Sequence, residues 1–229
     1  MHPDASQEAA RPITVAAVDD HPLILRGLHA YLAEHAPDIR LSLVVPTVDE
    51  LLESPDADVT VVLLDLHLGD DTTPEDNVRR VRATGANVVL FTSEHRPAVV
   101  HRALDAGAVG LILKEDPEAT LVGAIRQAHT GGFYASSRLA HQVVTDPTGL
   151  VRLSEREREV LGLVARGLPW GPLARRLGMS PETARTYCYR ALEKYTRSGG
   201  ERVDGIKELA FRAVVDGHVD VSDPTATGR

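Results

Sequence analysis

The sequence predicts an α/β domain, a doubly wound parallel sheet of five βα units, followed by a small all-α domain. Three observations predict it. Four short, strongly apolar runs and one further strand pattern alternate with helical stretches as far as residue 130. A polar segment rich in turn residues follows over 132–149, and beyond it only short helical patterns occur, two of them joined by a tight glycine turn.

The runs 13–18, 59–64, 87–91 and 109–113 read as buried parallel strands, because they are strongly apolar, and 41–45 reads as the remaining strand. Between and after them, 23–35, 48–53, 74–83, 97–106 and 117–130 read as helices, three of them opened by proline. Gly131-Gly132 ends the last. In the second domain Ser154 starts a helix with Glu157 at the capping-box position, and Gly167 stops it. Pro172 can open a short helix ending at Gly178. Ser180 then caps a helix over 181–195, with Pro181 at its first position and Glu182 near the positive end of its dipole. A final helix is expected over 203–215.

Polar residues stand at the carboxyl ends of the apolar runs: Asp19 and Asp20, Asp65, Thr92 and Lys114. In an open α/β sheet that edge is where ligands bind. Three carboxylates meeting there repel one another unless a cation joins them, and a hard divalent ion with oxygen ligands, Mg²⁺, suits them. Taken singly, paired aspartates can cap a helix and Lys114 can be a solvated strand end; the convergence of five positions carries the reading.

The net charge of −8 hides an asymmetry. Residues 1–150 hold 11 Lys/Arg against 22 Asp/Glu, whereas 151–215 hold 13 against 8. The first part suits a metal site, and the second can meet a polyanion. A single cysteine, Cys188, excludes an internal disulfide framework and a cysteine-rich zinc site. The ten histidines show no metal-ligand spacing. No run approaches membrane-spanning length and no signal-peptide pattern stands at the start, so a cytoplasmic location without membrane contact is expected.

On VDD at 18–20, LLD at 63–65, FTS at 91–93 and LILKED at 111–116, the first domain resembles the receiver domain of bacterial response regulators. On LSEREREVLGLVARGL from Leu153 and MSPETARTYCYRALEK from Met179, the second resembles the LuxR-type helix-turn-helix of the NarL/FixJ subfamily. The resemblance covers residues 13–130 and 150–216. It implies a flavodoxin-like (βα)5 receiver over 12–131 and a helix-turn-helix domain over 150–217, joined by a linker over 132–149. Disordered ends are expected over 1–11 and 218–229.

The resemblance also implies roles. Asp65 would be the phosphoacceptor. Asp20 and Asp65, with the His67 backbone carbonyl, would hold Mg²⁺, with Asp19 acting mainly through water. Lys114 would pair with the phosphoryl group and Thr92 would swing onto it. Arg185, Thr186 and Tyr189 would face base edges of double-stranded DNA, and Thr183, Tyr187, Arg190 and Lys194 would lean toward phosphates, near the Ser180 cap. Implied partners are a cognate sensor histidine kinase, promoter DNA, a second copy in the active dimer and RNA polymerase; the chain would be a regulator and not an enzyme.

Three departures stand out. Leu111 occupies a position often aromatic in receivers, Gly69 one often proline, and Pro169-Trp170-Gly171-Pro172 replaces a usually polar helix opening. Leu111 and Gly69 leave open an atypical regulator controlled by a ligand or partner independently of phosphate. A phosphohydrolase using Asp65 would want an acid/base aspartate two residues on, where the chain has His67.

Overall fold

The computed structural model describes residues 12–70, 72–198 and 203–221. Their contacts fall into two compact units, one within Met1–Ser93 and Ala103–Ala140, the other within Glu94–Arg102 and His141–Arg229. The tail expected over 1–11, and residues 222–229 of the one expected at the other end, lie outside the described residues.

In chain order the elements of the α/β part are β1 (Ile13–Val18), α1 (Pro22–His35), β2 (Ile39–Val45), α2 (Val48–Glu53), β3 (Val61–Leu64), α3 (Pro74–Arg82), β4 (Asn87–Thr92), α4 (Pro97–Asp105), β5 (Gly110–Leu113), α5 (Ala119–His129) and β6 (Tyr134–Ala135). The sheet order is β2-β1-β3-β4-β5-β6 with every pair parallel. This is the expected doubly wound fold with one strand added. Alternate residues Val15, Ala17, Val61, Leu63, Val89 and Ile112 form one core with α1 and α5. Their neighbours Val62, Leu64, Val88 and Leu90 are equally buried, which explains why these strands read as unbroken apolar runs. Helix starts follow local chemistry: Thr47 and Thr73 side chains accept from Glu50 and Asp76 N–H, capping α2 and α3.

The segment expected as linker is ordered for most of its length. Tyr134 N–H donates to Val109 O and Ser136 N–H to Leu111 O, adding β6 to the sheet. The addition depends on Gly110, where a Cβ would lie 2.9 Å from Tyr134 O. A helix, α6 (Arg138–Thr145), and a 3₁₀ turn over Pro147–Leu150 follow; Ser137 Oγ accepts from Ala140 N–H, and the Asp146 carboxylate from Thr148 N–H.

The second unit contains α7 (Glu155–Ala165), α8 (Trp170–Arg176), α9 (Pro181–Arg197) and α10 (Ile206–Val215) around Val160, Leu161, Leu173, Ala184, Cys188, Ala191 and Leu209. The capping box forms as expected: Ser154 Oγ accepts from Glu157 N–H while Glu157 Oε2 accepts from Ser154 N–H. Helix α8 begins at Trp170 and not at Pro172, because Pro169 holds an extended N-cap and a proline inside the first turn lacks only an N–H that has no intrahelical partner. The last helix starts at Ile206, after Gly205 at φ +104°. The expected C-terminal tail begins too early. His218 and Val219 are buried: Val219 N–H donates to Ala213 O, and His218 Nε2 donates to Thr148 O at 2.9 Å.

Candidate functional site

The carboxyl edge of the first unit's sheet gathers the five residues named from sequence. Asp19 follows β1 and its N–H donates to Val45 O; Asp65 follows β3 and its N–H donates to Val18 O. Both carboxylates are therefore fixed by backbone that continues the ladder one residue past each strand. Asp19, Asp65 and Thr92 are 2, 4 and 0 % exposed, whereas Asp20 and His67 are open to solvent.

Lys114 supplies the internal cation. Its Nζ donates to Asp65 Oδ2 at 2.6 Å and lies 2.7 Å from Asp19 Oδ2. Burial alone would lower the Lys114 pKa, but the two carboxylates outweigh it and hold the ammonium above its ordinary value. Thr92 is tied in by its carbonyl, which accepts from Lys114 N–H at 2.9 Å.

Ligand atoms of Asp19, Asp20, His21 and Asp65 lie within 4.8 Å of one another. His21 was not expected there. Its Nδ1 lies 2.9 Å from Asp19 Oδ1 and 2.7 Å from Asp20 Oδ1, and its N–H donates to Asp19 Oδ1. Reading histidines by spacing from one another missed it; its place directly after the paired aspartates was the available clue. Gly69 faces the same cluster, at φ +66° and with a Cβ position 3.0 Å from Asp20 Oδ2. A proline, fixed near φ −65°, could not adopt this turn. A set of mostly carboxylate oxygens around a close glycine turn fits a hard divalent cation. The backbone N–H of His67 donates to Asp65 Oδ1 at 3.3 Å.

In the second unit α8 and α9 form the helix-turn-helix, with Gly178 at φ +64° in the turn. Ser180 Oγ accepts from Thr183 N–H at 3.1 Å and so caps α9. Thr183, Thr186, Tyr189 and Arg190 are exposed, with Tyr189 60 % open; Arg185 is half-exposed beside them. Tyr187 is half-buried against the core, with the Arg190 guanidinium 5.8 Å from its ring. Lys194, expected to lean toward a phosphate, is engaged within the domain: its Nζ donates to Glu157 Oε2 at 2.6 Å and to Arg152 O at 2.9 Å. Arg175 and Arg176, exposed at the end of α8, add positive charge not singled out from the sequence.

A parallel α/β unit with an acidic, lysine-bridged pocket and a helix-turn-helix unit together define a two-domain regulator class. Family models for the response regulator receiver domain and for bacterial regulatory proteins of the luxR family match residues 15–126 and 151–196. The nitrate/nitrite response regulator protein NarL of Escherichia coli (strain K12) is 33% identical over 197 residues, 80% of this chain and 89% of NarL. The transcriptional regulatory protein UhpA of Escherichia coli (strain K12) is 31% identical over 186 residues, 80% of this chain and 91% of UhpA. The chain belongs to the response regulators of the NarL/FixJ subfamily, with a receiver domain and a LuxR-type DNA-binding domain. Among solved structures, RcsB from Salmonella enterica serovar Typhimurium bound to promoter rprA with the phosphomimetic BeF3- matches with TM-score 0.62 and 22% identity, over 86% of this chain and 96% of that one. That likeness concerns the fold. Among the described residues, no helix is long and apolar enough to cross a membrane.

Proposed function

We propose that phosphorylation of Asp65 controls dimerisation and promoter binding, making the chain a transcription regulator of a two-component system and not an enzyme that turns over a substrate. The observation that carries this is Lys114 Nζ bridging Asp19 and Asp65 at the sheet edge, in a chain that also holds a helix-turn-helix. An Asp65 carboxylate oxygen attacks the phosphorus of a phosphohistidine on a sensor kinase. The P–O bond forms as the P–N bond breaks, and the imidazole nitrogen keeps the electron pair. Asp19, Asp20, Asp65 and the His67 carbonyl would hold Mg²⁺, which when bound neutralises charge on the transferring oxygens. Lys114 moves from Asp65 Oδ2 to the new phosphoryl oxygens as a point charge. The Thr92 hydroxyl donates to the same group, and the displacement passes to the segment that follows β4.

On the DNA side, Arg185, Thr186 and Tyr189 read base edges in the major groove, and Ser180, Thr183, Tyr187 and Arg190 hold phosphates. A cytoplasmic dimer on an inverted repeat, acting with RNA polymerase, follows from this reading. A second reading, control by a ligand or partner without phosphate, is favoured by Leu111, fully buried where an aromatic switch residue would stand.

Incubation with Mg²⁺ and acetyl phosphate, followed by intact mass and sedimentation, separates the two. One added phosphoryl group that requires Asp65 and shifts monomer to dimer supports the phospho-switch. No labelling beside a receiver that labels under the same conditions rejects it.

A further inference from the structure

The sole tryptophan of the chain stands at the first position of α8, inside the run Pro169-Trp170-Gly171-Pro172. It is partly buried against the second unit's core, where Leu168 and Leu177 also pack. Pro169, extended at the N-cap, accepts from Leu173 N–H and sets where the indole leaves the backbone. The Arg185 guanidinium carbon lies 5.2 Å from the centre of that ring. Glu182, one turn earlier on α9, lies 3.9 Å from Arg185 Nη1. Among the described residues, no hydrogen bond occupies this guanidinium.

We propose that Trp170 is a positioning residue for DNA reading, its indole holding the Arg185 guanidinium flat so that the N–H edge is presented to a guanine. The proposal rests on Arg185 reading a base, as argued above. An arginine free in water samples many rotamers and must surrender them on binding, whereas one stacked on an indole has surrendered most beforehand. Stacking uses the π face of the guanidinium and leaves its in-plane donors free. Those donors match O6 and N7 of guanine. The contact is attractive in its own right, since the ring's negative face meets a delocalised cation. Glu182 lies within ion-pair reach of the same guanidinium. An aliphatic side chain at 170 could fill the same packing space but would give the guanidinium no face to lie on.

The test uses the full-length protein and the duplex it enriches from a randomised library. Trp170→Leu is expected to weaken binding to that duplex about tenfold and to flatten preference at one base position, with little change on unselected DNA. Arg185→Ala flattens the same position, and adding Trp170→Leu to Arg185→Ala costs nothing further. Trp170→Phe restores much of the preference. If Trp170→Leu folds and keeps wild-type base preference while Arg185→Ala loses it, the positioning role is wrong and base reading by Arg185 stands. If Arg185→Ala leaves every base preference intact, base reading fails and the positioning role with it. Should the 170 variants not fold, proton spectra of the wild type decide. Arg185 side-chain protons shifted upfield by the indole ring current support the stack, and random-coil shifts overturn it.

Discussion

Lys194 Nζ lies 2.6 Å from Glu157 Oε2, joining the last turns of α9 to the first turn of α7 across 37 positions of sequence. Glu157 is 3 % exposed and also closes the capping box of α7. Burial works to raise its pKa, yet Lys194 and the Ser154 N–H outweigh it and hold the carboxyl below the ordinary value of 4.5. Its stabilising share is therefore present above pH 4.5 and is lost as pH falls through the lower folded value. Glu157→Gln should cost about 2 kcal/mol at neutral pH in urea unfolding. Lys194→Met should likewise lower stability while leaving the salt slope of DNA binding unchanged; a slope smaller by about one, at wild-type stability, would instead make Lys194 a phosphate contact.

The Lys114 ammonium compensates two buried carboxylates at once. In Lys114→Met the pair Asp19 and Asp65 loses it, and without added metal the receiver should lose about 3 kcal/mol. Because the pocket becomes more negative, Mg²⁺ should raise the melting temperature of this variant more than that of the wild type. Equal increments in a thermal scan would show that Mg²⁺ does not enter beside Asp19 and Asp65.

Gly69 combines φ +66° with a Cβ position 3.0 Å from Asp20 Oδ2. Gly69→Ala should cost about 1 kcal/mol through its left-handed backbone. It should also weaken Mg²⁺ binding, because the new methyl crowds one carboxylate of the cluster. Titration followed by calorimetry measures both affinities, and an unchanged value would place Asp20 outside the metal shell.

His218 titrates far from its ordinary range. Burial pushes its pKa down to about 4; the hydrogen bond to Thr148 O opposes this, and Arg102, Arg152 and Arg158 add to it. The unfolded chain binds a proton near 6.5 that the folded chain refuses until about 4, so stability falls as pH drops through that window. The loss should approach about 3 kcal/mol by pH 4. His218→Gln keeps a donor for Thr148 O and should flatten the profile between those two values. A profile as steep as the wild type's would assign the acid sensitivity elsewhere.

Strands β1, β3, β4 and β5 were legible because they are buried on both faces for most of their length, whereas β2, partly open with Arg40 exposed and Ser42 inside it, was read two residues short. The pocket was legible because its residues stand at the strand ends, where the fold must bring them together. By contrast β6 has two residues and no periodicity, and its pairing depends on Gly110 lacking a Cβ. The start of α8 was misplaced because proline was read as the first helical residue, although the first turn accepts it later. Lys194 looked like a groove residue by its place on the helix. Its partner lies on another helix, beyond what the pattern of one helix can reveal.

With Trp170 as its single indole, the chain carries an optical label on one unit only. Indole emission reports the surroundings of α8 in the helix-turn-helix, while the α/β unit, whose described aromatic residues include Tyr31 on α1, Phe91 on β4 and Tyr134 on β6, contributes no indole signal. Melting curves followed by indole emission and by far-ultraviolet dichroism, the latter sensitive to both units, will coincide only if the two lose structure together. A lag between them would measure, without any added dye, how independently the receiver and the helix-turn-helix hold their folds.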